Sequence, residues 1–320
     1  MKYNWLSCIF LVMLQQGEVS CTDPLAPALP KEASPSKNSA SPPHNSPDQR
    51  TSSPLQLNSR PVLTKWYAQT SHPQTGESFG ELVARSGTAQ LGTPYYNHPQ
   101  TTEPEQFSIA LDTFQCVSFV ESTMALSRCI WKNENNEDCF IKEVKESRYR
   151  DGEVDGYASR LHYFFDWLSN NSERGRLTPL TRAFGGRKFK RRRQKKLFSI
   201  MTSRPKRYPA LLNPSVFHDI QSIENSLNSQ HPYVLRRKQL TGLNDRLENG
   251  DVVAVVTNTR GILISHTGFI LKNSDGKARF LHASSYHERV VVSENDIADY
   301  ISRDKSRLGI LIYRPTHPES

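Results

Sequence analysis

The chain lacks an apolar run long enough to cross a bilayer as a helix. Its longest, Trp5–Leu14, is interrupted only by Ser7 and Cys8 and falls well short of the roughly 20 residues a span requires. Paired metal-ligand spacings are also missing, which excludes a zinc site of the usual kind, and no cofactor is expected. Cysteine is scarce, with five in 320 residues: Cys8, Cys21, Cys116, Cys129 and Cys139. Positive charge is confined. Arg187–Lys196 (RKFKRRRQKK) holds eight basic residues in ten and accounts for nearly all of the formal net charge of +9. A surface built for nucleic acid would spread that charge over a face, so no specific nucleic-acid partner is expected. Between Thr22 and Val62 it is large apolar residues that are nearly absent.

That last shortage divides the chain. A segment of Pro, Ser, Ala and Asn cannot bury enough surface to offset its conformational entropy, so residues 22–62 are expected to be a disordered linker. Before it, Lys2, the short apolar run and the small residues Val19-Ser20-Cys21 have the form of an export signal over residues 1–21. Cleavage before Cys21 with lipidation of that cysteine is the alternative, although Glu18 stands where an aliphatic residue is expected. Either way the mature protein belongs in the periplasm or at the cell surface. Residues 63–320 suit one domain, monomeric, with a basic insertion near 182–207. Cys129 and Cys139 lie ten apart and could pair in an oxidising compartment, though spacing alone does not bring their Cα atoms together.

Cys116 is the centre of the reading. After it, apolar residues recur at Val117, Val120, Met124 and Leu126, a helical period, so the cysteine sits in the first turn of a core helix. A helix N-terminus offers unpaired N–H groups and a partial positive charge, both of which favour thiolate. Far downstream, Gly261–Leu271 carries His266 and Lys277–Ser284 carries His282, two β-rich stretches on either side of the turn Asn273-Ser274-Asp275-Gly276. Paired antiparallel about that turn, the two histidines come nearly opposite one another, while a register slip would send the rings to opposite faces. A thiol, a histidine base and a second histidine to orient the first make the nucleophile set of a cysteine hydrolase. A buried structural cysteine is the alternative for Cys116.

Several stretches together carry a resemblance. They are LGTPY at Leu91–Tyr95, FQCVSFVESTMAL at Phe114–Leu126, RYRDG at Arg148–Gly152 and YASRLHYFFDW at Tyr157–Trp167. GDVVAVVT at Gly250–Thr257, SHTGF at Ser265–Phe269, LHAS at Leu281–Ser284 and GILIYR at Gly309–Arg314 follow in order. The set resembles the domain of unknown function 1460 family, N-acetylmuramoyl-L-alanine amidase-like, within the NlpC-like papain-fold cysteine hydrolases. One departure is Gln115, where the family usually has aspartate. The resemblance implies an α+β papain-like fold, with the cysteine in a helical half packed on a curled antiparallel sheet that carries the histidines.

It further implies that Cys116, His266 and His282 are catalytic and that the Tyr95 hydroxyl joins the Cys116 N–H in holding the oxyanion. Ser118, Arg148, Tyr157, Arg160, His162 and Ser265 complete the substrate-side candidates. Arg148, Arg160 and His162 alternate with aromatic residues, as in a groove for carboxylates and sugar rings, or as on a helix with a solvated basic face. The implied activity is hydrolysis of an amide in the peptidoglycan stem, foremost the bond from muramic acid to L-alanine. Alternatives are a stem-peptide endopeptidase acting at a γ-D-glutamyl bond, an acyl- or peptidyl-transferase, and a non-catalytic cell-wall binding module. Peptidoglycan or muropeptides are the expected partners. Arg187–Lys196 offers salt-sensitive attraction to anionic envelope polymers, or is a solvated loop.

Overall fold

The computed structural model describes residues 53–96, 104–190 and 196–319. Residues 1–21, read as an export signal and containing Cys8 and Cys21, and the expected linker as far as Ser52 lie outside the described residues, as do Arg191–Lys195 of the basic run. Residues 53–62, assigned to the linker by composition, are part of the folded unit. Leu55 is buried and bridges Ile109, and helix α1 (Ser59–Thr70) begins four residues later. One leucine anchors this stretch, too weak a signal to register against its polar neighbours.

Helix α2 (Phe79–Thr88) opens on a reciprocal cap between Ser78 and Glu81. Helix α3 (Cys116–Trp131) is buried along almost its whole length, from Phe119 to Ile130. Helix α4 (Glu137–Arg148) packs against it, and a disulfide from Cys129 to Cys139, with Cα atoms 5.9 Å apart, joins the two. Short α5 (Gly156–Ser159), α6 (Phe164–Glu173) and α7 (Pro214–Ser229) complete this half.

Helices then give way to an antiparallel sheet, so the domain is α+β. Its strands are β1 (Leu177–Pro179), β2 (Arg187–Lys188), β3 (Tyr233–Arg236), β4 (Val252–Thr257), β5 (Ile264–Lys272), β6 (Ala278–Ser284), β7 (Arg289–Asp296) and β8 (Arg307–Pro315). The order is β2-β3-β8-β4-β5-β6-β7, with β1 also on β8. A small helix α8 (Ile297–Ser302) lies between β7 and β8. The turn at 273–276 forms as expected: Gly276 adopts a φ of +71° and its N–H donates to Asn273 O at 2.9 Å. β2 corrects the idea that the basic run is simply a loop, since Arg187 and Lys188 pair with Val234 and Tyr233. Phe198, Ile200 and Met201, within the supposed insertion, are buried in the core.

β4 shows how strand period sorts two cores. Val252, Ala254 and Val256 face the main core with α3, whereas Val253 and Val255 face a second one built with Phe280, Ile297 and Ile301. Covered on both faces, the strand is apolar from Val252 to Val256 and carries no alternation.

Candidate active site

Cys116 is the first residue of α3 and is half-buried. Gln115 before it is extended, and its N–H donates to Ser118 Oγ at 3.0 Å, so Ser118 caps the helix. Tyr95 is fastened beside this helix start. Its N–H donates to Glu288 O at 2.8 Å, while Phe114 N–H donates to Pro94 O and Tyr96 N–H to Phe114 O. The GTPY turn is thus stitched between the β6–β7 hairpin and the residues leading into Cys116.

The two histidines share a face. His266 Nε2 lies 2.7 Å from His282 Nδ1, and His282 stacks on Phe280 with ring centroids 4.6 Å apart. The β5–β6 ladder ends at Phe269–Leu281. Past that point β5 continues beside β4 to Ile264, and β6 continues beside β7 to Ser284. The regular pairing therefore stops between the two histidine-bearing segments, and the imidazoles join them there. Gly268 allows the approach, because a side chain there would run into Leu281 O and the His282 Cβ. Ser265 is the extra residue of a bulge against β4, with its hydroxyl 3.5 Å from Val255 O. A bulge at that place re-aims the next side chain, His266.

Burial, with the nearby Arg307 guanidinium, holds His266 far below the ordinary imidazole value, at about 3. His282 is lowered in the same direction by burial, His266, Arg307 and His287. Both imidazoles are uncharged at neutral pH, so one proton lies between Nε2 and Nδ1. When His266 Nδ1 is the accepting nitrogen, Nε2–H must donate to His282 Nδ1.

The other candidates form a separate cluster along the flank of α3. Arg148 is buried, its Nε donating to Glu121 Oε2 at 2.9 Å and its Nη1 to Ser108 O at 2.7 Å. Arg160 is half-buried and pairs with Glu105 at 3.2 Å, a carboxylate that also accepts from the Tyr149 hydroxyl. His162 Nε2–H donates to Tyr157 O at 2.8 Å over the face of that buried tyrosine. Burial and Arg160 push His162 down to about 3. A buried guanidinium must be paired, and Arg148 already has its carboxylate. Its place in an open groove is therefore corrected to an internal strut. Sequence reading missed Tyr300 and Arg307, which stand behind the histidines. Nothing local to either residue marks them.

The AmiA-like, N-acetylmuramoyl-L-alanine amidase-like family model matches residues 85–310. The chain belongs to that family. An N-acetylmuramoyl-L-alanine amidase from Bacteroides uniformis is 30% identical, covering 74% of this chain and 99% of its own, with a TM-score of 0.67. A Bacteroides fragilis protein described as a candidate xylanase is 32% identical over 71% of this chain and 98% of its own, at a TM-score of 0.64. A Legionella pneumophila protein of the domain of unknown function 1460 family shares the fold at 17% identity and a TM-score of 0.59, over 82% of this chain and 96% of its own. No curated protein matches. An amidase-like hydrolase directed at peptidoglycan is what this membership supports.

Proposed function

We propose that the protein is an exported cysteine amidase of papain-like fold that hydrolyses the bond between muramic acid and L-alanine of peptidoglycan. The observation that carries this is the His266–His282 hydrogen bond, on strands against which the helix opening at Cys116 packs. The body of α3 lies against Phe269 and Leu281, whereas both imidazoles leave the sheet on the Phe280 side. In this reading the thiol reaches His266 around the end of the β5–β6 ladder, past Phe269–Leu281. There Cys116 Sγ gives its proton to His266 Nδ1 and attacks the amide carbonyl. The Cys116 N–H and Tyr95 hydroxyl stabilise the oxyanion, and the imidazolium returns the proton to the leaving amine. Water then hydrolyses the thioester by the same proton path, without a cofactor.

The Cys129–Cys139 disulfide supports an oxidising compartment. A glycosidase would need two carboxylates facing each other across a sugar bond, whereas the side chains at the proposed site are a thiol and two imidazoles. Mass spectrometry of defined muropeptides tests the reading. Release of the intact stem from muramic acid supports it, and loss of D-amino acids from within the stem would assign an endopeptidase instead. Products unchanged in Cys116→Ala would remove the cysteine mechanism.

A further inference from the structure

The wall behind the imidazole pair is built from residues with no role in the mechanism so far. Tyr300, on α8, meets His282 edge-on with ring centroids 5.3 Å apart and Phe280 at 5.0 Å. Arg307, the first residue of β8, places its guanidinium carbon 3.9 Å from the centroid of the Tyr300 ring. The same guanidinium donates to Tyr300 O and stands 3.6 Å from Asp304. The Arg237 side chain in turn donates to Arg307 O at 2.6 Å and to Asp304 O. A cation on an aromatic face, with its own backbone tied down by a second arginine, is a rigid arrangement.

We propose that Tyr300 and Arg307 are positioning residues for the histidine pair: Tyr300 fixes the plane of His282, and Arg307, seated on the Tyr300 ring, holds Tyr300 in place and keeps a cation behind the pair. The titratable and charged groups that act on the pair are His287 from the β6–β7 hairpin, Tyr300 from α8, Arg307 from β8 and, in the proposed mechanism, the Cys116 thiol from α3. Asp304 is paired with Arg307, so the guanidinium acts through a partly neutralised field. The consequence is a base that stays unprotonated into mildly acidic surroundings and, being weaker, holds the thiol proton only loosely. Its cost is an imidazolium that must return its proton promptly, which suits the second half of the reaction.

The inference rests on His266 being the base, and its test separates the two claims. Imidazole titration by NMR, on the whole protein without substrate, compares wild type with Arg307→Met and Arg307→Lys. Arg307→Met is expected to raise the titration midpoint of His266 and His282 by about one pH unit, whereas Arg307→Lys, which keeps the charge, leaves it near wild type. On muropeptide substrate, the acid limb of kcat/KM moves up with Arg307→Met in step with the titration. Tyr300→Leu lowers kcat about tenfold with KM little changed, because orientation of the acid–base group is what is lost. Should Arg307→Met fail to fold, Arg307→Gln makes the same comparison. Equal midpoints in the neutral and charged variants would overturn the assignment, whether or not the wild-type protein turns over muropeptides.

Discussion

His266 Nε2 and His282 Nδ1 are 2.7 Å apart across two strands that no longer pair with each other. With Nε2–H as the donor of this bond, as the proposed mechanism requires, His266 Nδ1 is left as the accepting nitrogen. Replacing His282 with Ala is expected to lower kcat on a purified muropeptide by about 10–100-fold with KM nearly unchanged. His266→Ala is expected to cost about 1,000-fold. His282→Asn, which retains an acceptor, should fall between wild type and His282→Ala. Full activity in His282→Ala would show that the pair is structural.

Acid should destabilise the fold through its buried neutral histidines. His162 and His266 are lowered to about 3, and His282 is lowered as well. Between their unfolded value near 6.5 and these folded values, the unfolded chain binds more protons, so stability falls as pH falls. It is fully present above about pH 6.5. His162 and His266 each contribute a loss on the order of 2 kcal/mol by pH 5, and His282 adds to it in the same direction. Urea unfolding at pH 7.5 and pH 5 checks this: His162→Gln should show a smaller drop than wild type.

What was legible in the sequence was local. The hairpin carrying the histidines follows from a turn tetrapeptide between β-rich stretches, and α3 follows from an apolar period that begins at its first turn. The cysteine pair was visible as a possibility, and the fold closes it. Contacts between distant segments were not legible. β1 and β3 are short and take their definition from β8, more than seventy residues downstream. Arg148 looked like a groove cation because Glu121, its partner, lies 27 residues away on another helix. Nothing in Tyr300 or Arg307 as isolated letters points to an imidazole.

Glu143 holds α3 and α4 together with the segment after α6. Its carboxylate accepts from Arg128 at 2.8 Å, Lys132 at 2.7 Å and Arg176 at 2.6 Å. Burial alone would raise its pKa, but Arg176 and Arg128, with Lys132, bring it down to about 2. Glu143→Gln strands the guanidiniums of Arg128 and Arg176 without their shared counter-charge. It should cost about 3–5 kcal/mol of unfolding free energy, read from the denaturation midpoint. A change below about 1 kcal/mol would show that the neighbouring Glu146 takes over.

The Cys129–Cys139 disulfide closes a short loop at the far end of the helix that starts with Cys116. Cys129→Ser with Cys139→Ser should lower stability by about 2–3 kcal/mol while leaving kcat within about twofold, because the constraint falls on unfolded chain rather than on the site. Thermal unfolding with a parallel muropeptide assay measures both. A collapse of kcat in a still-folded double variant would tie the crosslink to the chemistry.

The account depends most on the thiol of Cys116 meeting the imidazole of His266 where β5 and β6 part. The rate of Cys116 alkylation by iodoacetamide at pH 7, with the site assigned by peptide mass spectrometry, probes that meeting directly. Wild type should react at least about tenfold faster than His266→Ala, with His282→Ala between them. Equal rates in wild type and His266→Ala would mean that the imidazole does not reach the sulfur, and the cysteine-amidase mechanism would be wrong.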